Sequence, residues 1–252
     1  MMNHNQNGCC AAAVKTFVRN RYFYGKMMDV LQFELEQDYV NGKRWLINRL
    51  VLGYGVVCGL DVEAGNDNAS VVVQPGLAID KWGREIIVPC ASAPVPVPPV
   101  PAAAPPDDCD DTNCFQLMLC YHECQSDPVP ALGGDCDQNA LCTPGAIRER
   151  YELKFEPGKL PDVSTDCQIG DLFTNGHINY TALANYVSGA CPSCPDSPCI
   201  PLANVRVPGG GAPLVINIAI RPIQFSNDLL HDLLVCMAGK PATQDQNRGG
   251  KC

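Results

Sequence analysis

A chain of 252 residues is long enough to bury a real core, and its 46% hydrophobic content excludes wholesale disorder. The 22 Gly and 22 Pro call for many short elements joined by turns, which favours a β architecture over a helical bundle. Net charge is −9 but uneven: residues 1–52 carry seven Lys and Arg against four Asp and Glu, and the remainder carries eleven against twenty-three. So acidic a body argues against a nucleic-acid partner.

The start, MMNHNQNGCCAAAV, lacks the charged and apolar blocks of a secretory signal. No run approaches the roughly 18 apolar residues of a membrane span. These features predict a chain made and folded in the cytoplasm, without membrane insertion. Sixteen cysteines are then unexpected, because cytoplasmic thiols are normally kept reduced. Bound metal, disulfides and plain buried thiols stand as competing readings.

Residues 1–18 read as a flexible arm. In the following RNRYFYGK, Arg19, Arg21 and Lys26 interleave with Tyr22, Phe23 and Tyr24, the pattern of an extended segment carrying stacking and charge-pairing anchors. Single-stranded nucleic acid could use the same chemistry, but the acidic body makes a protein partner the better reading.

From Asp29 the pattern turns helical. Asp29 and Gln32 form a capping-box pair, and Leu31, Leu35, Tyr39, Trp45, Leu46 and Leu50 recur at helical spacing. Gly42 leaves open one kinked helix or two shorter ones. The apolar stripe either packs on its own domain or is shared with a partner, and Trp45 is a candidate for the second role.

Short β-branched runs follow: GVVCGLDVE, SVVVQ, LAID and REIIVP, separated by turn signals, predict a meander over residues 55–89. Trp82 falls at a hairpin tip, as a cap over the sheet end or as a contact residue. Residues 91–114 read as a Pro-rich, then acidic, connector. Its acidic run at 107–111 lacks the alternating spacing of a calcium loop.

Beyond it, Phe115–Tyr121 and Arg148–Glu156 read as strands. A helix should begin near Asn179 or Thr181 and end at Gly189. IPLANVRVP and PLVINIAIRP form two more strands, Asn227 caps an amphipathic helix, and the tail from residue 239 is loose. The fold class is mainly β with α+β character: a barrel or sandwich of short antiparallel strands, an N-terminal and a C-terminal helix, and cysteine-rich loops. Residues 115–238 should form one body with 55–90.

Enzyme signatures are missing: no GxSxG, no HExxH, no GxxxxGK[ST], and four histidines outside any catalytic pattern. A non-enzymatic chain is predicted. Cysteine carries the strongest chemical signal. CPSCPDSPC places Cys191, Cys194 and Cys199 in one loop, and with Cys167 they would make a four-ligand zinc set. Cys120, His122, Cys124, Cys136 and Cys142 make a second set, the first three sharing one face of a strand. Either group fits disulfides equally well, each worth roughly 2–4 kcal/mol in loop-rich domains.

Two segments carry a resemblance. RNRYFYGKMMDVLQFELEQDYVNGKRWLINRLVLGYGVVCGLDV followed by VVVQPGLAIDKWGREIIVP is similar to small proteins encoded with extracellular contractile injection systems, the phage-tail-like particles. The second part resembles a β module of phage tail fibre and baseplate proteins, and PLANVRV with RPIQFSNDLLHDLL resembles the closing segment of the same family. The resemblance implies an oligomeric, non-enzymatic particle component near the baseplate, fibre or outer collar, in a kind of particle that can be released from the cell. Its partners would be other particle subunits and copies of itself. The alternative is a zinc- or disulfide-stabilised adhesion module at a fibre tip, and a metal-dependent hydrolase is the third reading.

Overall fold

The computed structural model describes residues 16–100, 113–130, 142–164, 169–174, 176–208 and 212–238. The expectations for the first fifteen residues, the acidic run at 107–111, Cys136, Cys167 and the tail from 239 lie outside the described residues.

The first helix, α1 (Val30–Ile47), starts as its sequence dictates. Asp29 accepts from the amides of Leu31 (3.0 Å) and Gln32 (3.3 Å), while the Gln32 side chain accepts from the Asp29 amide (3.0 Å), so backbone donors that the first turn leaves unpaired are satisfied by the two side chains. The helix runs unbroken through Gly42, whose bare Cα makes room for the Phe17 ring. Lys43 Nζ lies 5.2 Å from the centre of the same ring, so the arm folds back along the helix. A turn of π-helix (Asn48–Leu52) ends the element, with the Gly53 amide donating to Asn48 O at 2.8 Å.

Six short strands follow: β1 (Gly55–Gly59), β2 (Val62–Ala64), β3 (Ser70–Val73), β4 (Gly76–Ile79), β5 (Glu85–Val88) and β6 (Val95–Pro96). They do not form the simple meander the turn signals suggest. Gly59 and Leu60 both adopt left-handed backbone, and the chain divides there into two antiparallel sheets, β1-β4-β5 and β2-β3-β6. The Pro-rich segment also departs from a free spacer. Val95 and Pro96 pair with β3, the Ser92 amide donates to Val73 O and the Val97 amide to Ala69 O (both 2.9 Å). An edge strand tolerates proline because its outer N–H has no ladder partner to lose.

A four-stranded antiparallel sheet completes the body, in the order β12-β11-β7-β8, where β7 is Cys114–Pro130, β8 Cys142–Pro157, β11 Ile200–Arg206 and β12 Val215–Asn217. Strand β11 covers β7 only from Cys114 to Leu119, whereas β8 follows β7 out to the Pro130↔Cys142 pair. The far half is therefore a two-stranded ribbon, much longer than the strand expected from Phe115 to Tyr121. A small excursion holds β9 (Phe173–Thr174), β10 (His177–Ile178) and α2 (Tyr180–Val187), the last capped by Asn179 as its sequence suggests. The last helix, α3 (Asn227–Ala238), is capped by Ser226 rather than Asn227: Ser226 Oγ accepts from the Leu229 amide at 3.2 Å.

One core serves all three larger sheets. Val56, Leu60, Val71, Val73, Ile86 and Val88 from the first half meet Leu117, Leu119, Ile200, Leu202 and Val205 from the second. The body is mainly β and antiparallel, and no sheet among the described residues closes into a barrel. No helix of the described residues is long and apolar enough to cross a membrane.

Candidate functional site

The arm and α1 stand apart from that core. None of the eighteen residues of α1 is buried. Leu35, Tyr39, Trp45, Leu46 and Leu50 of the apolar stripe are half-buried, while Leu31 (62%), Phe33 (58%) and Val40 (54%) face solvent. In the arm Arg19, Arg21, Tyr22, Phe23 and Tyr24 are all exposed. Lys26 differs: its ammonium bonds the side chain of buried Asn20 and the Arg21 carbonyl (3.2 Å), so it closes the arm's turn instead of presenting charge.

The helix is held at its C-terminal end by the β4–β5 turn. There the Asn48 amide group donates to Gly83 O and to Glu85 Oε1, both at 2.8 Å, and Arg44 pairs with Glu85 at 3.2 Å. Asn48 is buried, so both donor hydrogens are used where water cannot replace their partners. Gly83 has φ +91°, and the Trp45 backbone packs directly on it.

The turn itself is built on Asp80. Its carboxylate is fully buried, accepts from the amides of Trp82 (2.9 Å) and Arg84 (2.8 Å), and pairs with Arg84 Nε at 2.7 Å. Burial raises the Asp80 pKa, against the Arg84 guanidinium and the two amides that lower it. The Arg84 guanidinium also lies between two rings, 4.7 Å from the centre of Trp82 and 4.4 Å from that of Tyr121. Burial likewise raises the Tyr121 hydroxyl, with Glu123 adding to the effect.

Beneath the turn lies the cysteine loop. Trp82 Nε1 donates to Pro195 O (2.9 Å), the Lys81 amide to Pro198 O (3.1 Å) and Arg49 Nη1 to Pro192 O (2.7 Å). Trp82 is thus a half-buried cap over this loop. Its end is fixed to β7 by the Cys120–Cys199 disulfide, which spans 79 residues and joins one member of each candidate zinc set. A thiolate site containing either residue would need that bond reduced. Cys194 is also disulfide-bonded, as is Cys114. Cys124, Cys142 and Cys191 are free thiols, and His122 is exposed on β7 opposite Arg150. Among the described residues no group of three or more His, Cys, Asp or Glu is placed to hold a metal ion.

Asn48, Asp80 and Arg84 were not singled out by sequence. The one available signal was the DKWGR turn, where an acidic residue stands four positions before an arginine. The two halves of the resemblance also meet: the Val56 amide donates to Pro222 O, the Gln224 amide donates to Val56 O, and Gly55 (φ +142°) leaves the space that Pro222 occupies.

No protein-family profile matches the sequence, and no curated protein matches it. Among solved structures the chain is similar to the crystal structure of TssK, with a TM-score of 0.40 and 11% identity over 80% of this chain. It spans 42% of that chain's length.

Proposed function

We propose that this chain is a non-enzymatic structural subunit of a contractile, phage-tail-like particle, assembling through its arm and α1 onto a neighbouring copy of itself. The observation that carries the reading is an eighteen-residue helix with no buried residue, seated on a body whose core is already complete without it. Helices of this length owe their stability in water to tertiary packing. Leu31, Phe33 and Val40 are 54–62% exposed, so covering them would contribute about 1–2 kcal/mol each.

Charge supports a like partner. Residues 1–52 hold a basic excess and the rest a larger acidic one, so the arm of one copy complements the body of the next. The particle assignment rests on the resemblance of residues 19–90 and 200–236, whose two parts pair at Val56. Co-purification of the chain with sheath and tube proteins tests it. A chain recovered without any such partner from cells making the particle contradicts it.

The adhesion reading has its own observation. Phe173, Ile178, Tyr180, Tyr186 and Val187 are all exposed on the β9–β10 and α2 excursion. Binding of a cell-surface glycan or protein, lost when Tyr180 and Tyr186 become Ala, would favour it.

A further inference from the structure

We infer that β8 is an interaction edge for a second copy of this chain: the two β8 strands pair antiparallel across a two-fold axis at Leu153, joining the sheets of both copies. This contact is separate from the docking surface on α1 and does not depend on it.

Strand β8 ends the four-stranded sheet, since the order β12-β11-β7-β8 leaves its outer side without a strand. Which of its backbone groups face outward follows from the end of the ladder. The Gly158 amide donates to Cys114 O (3.0 Å), one step beyond the Phe115↔Pro157 pair, and from Tyr151 to Pro157 the register with β7 runs without a shift. Backbone direction alternates along an antiparallel strand, so even-numbered residues of β8 bond β7 and odd-numbered ones turn N–H and C=O outward. Among the described residues no hydrogen bond reaches the outward groups of Glu149, Tyr151, Leu153 or Phe155. Natural edges are guarded by proline, bulges or inward-pointing charge. From Tyr151 to Phe155 β8 has none of these: Tyr151, Leu153 and Phe155 pack against the core, and the charges lie on the other face.

Charge selects the occupant. The even positions read Arg148, Arg150, Glu152, Lys154 and Glu156. With the axis at Leu153, Glu152 of one copy faces Lys154 of the second copy, and Arg150 faces Glu156, each pair occurring twice because a two-fold contact repeats it. These are the non-hydrogen-bonded positions of the new ladder, where facing Cα atoms lie about 4.5 Å apart and side chains meet most closely. On the inner face Leu153 meets its own counterpart and Tyr151 meets Phe155, so these half-buried side chains extend one apolar layer across both copies. Other registers bring like charges together, which disfavours pairing. An axis at Glu152 sets Arg150 against Lys154, one at Lys154 sets Glu152 against Glu156, and one at Tyr151 sets Arg148 against Lys154. An axis at Phe155 keeps only the Lys154–Glu156 pairs. An edge this short is much smaller than a standard interface, so it joins copies that another contact has already gathered rather than dilute free chains.

Disulfide trapping tests this in full-length chains carrying Leu31→Glu/Phe33→Glu/Val40→Glu, which takes α1 docking out of the measurement. Glu152 is exposed and Lys154 half-buried on the solvent face, so either accepts cysteine without disturbing the core. Glu152→Cys chains mixed with Lys154→Cys chains are oxidised mildly and the linked peptides read by mass spectrometry. The 152–154 link should exceed the 152–152 or 154–154 link of either chain alone at least about tenfold, because facing positions lie within bridging distance and diagonal ones do not. Adding Arg150→Glu to both chains should cut the yield at least about fivefold, and adding Glu156→Arg as well should restore it. Absence of the 152–154 link in the mixture overturns the edge pairing. Equal yields in all three samples overturn the register, as does a yield indifferent to Arg150→Glu. Failure of the docking reading would show separately, as a monomeric wild type in sedimentation, and leaves these outcomes unchanged.

Discussion

A methyl group added at Gly83 would lie 2.1 Å from the carbonyl oxygen of Trp45, so the seat of α1 is a contact between two backbones with no side chain between them. Gly83→Ala should therefore displace the helix rather than the turn's neighbours. Its φ of +91° adds strain that only glycine avoids. We expect a loss of about 1–3 kcal/mol in urea unfolding, with faster amide exchange confined to α1, the π-helical turn and residues 81–84. Wild-type stability in this variant would show that α1 is not held there.

Arg19 and Arg21 are exposed, whereas Lys26 closes the arm's turn through Asn20. Reversing the two arginines to glutamate should weaken self-association at least about tenfold and leave stability within about 0.5 kcal/mol. Lys26→Glu should instead disorder the arm. Sedimentation and thermal melts separate the two outcomes.

Asp80 makes a pH-dependent prediction. Burial raises its carboxyl above the ordinary 3.8, so the folded chain keeps this proton at pH values where the unfolded chain has released it. The group's contribution is complete below 3.8 and fades as pH rises through the raised native value. The advantage of wild type over Asp80→Asn, followed by urea unfolding from about pH 3 to pH 7, should narrow with rising pH. An advantage that grows instead would put the Arg84 pairing ahead of burial.

Local rules made much of the fold legible. The Asp29–Gln32 capping box, the Asn179 cap and the β-branched runs of β1 to β5 follow from neighbours within four residues. What stayed hidden depends on distant pairing. The far half of β7 contains SDPVP, which reads as turn, yet Pro128 and Pro144 face each other across the ribbon. Val95 and Pro96 read as spacer because only β3 makes them a strand.

At the candidate site, the aromatic and basic arm was legible from composition, and so was a structural role for the cysteines. Their pairing was not. Cys120 meets Cys199 because β7 and β11 lie side by side, a relation set by the whole sheet. The absence of burial along α1 was equally invisible: Leu31, Leu35, Tyr39 and Trp45 make a stripe that suits an inward face and a shared one alike.

The most direct test of the account is sedimentation of the full, oxidised chain across concentration, beside Leu31→Glu/Phe33→Glu/Val40→Glu, whose three sites are exposed on α1. The account predicts that wild type self-associates and that the triple variant stays monomeric with an unchanged melting temperature. A monomeric wild type, or a triple variant that still associates or loses several degrees of stability, would contradict it.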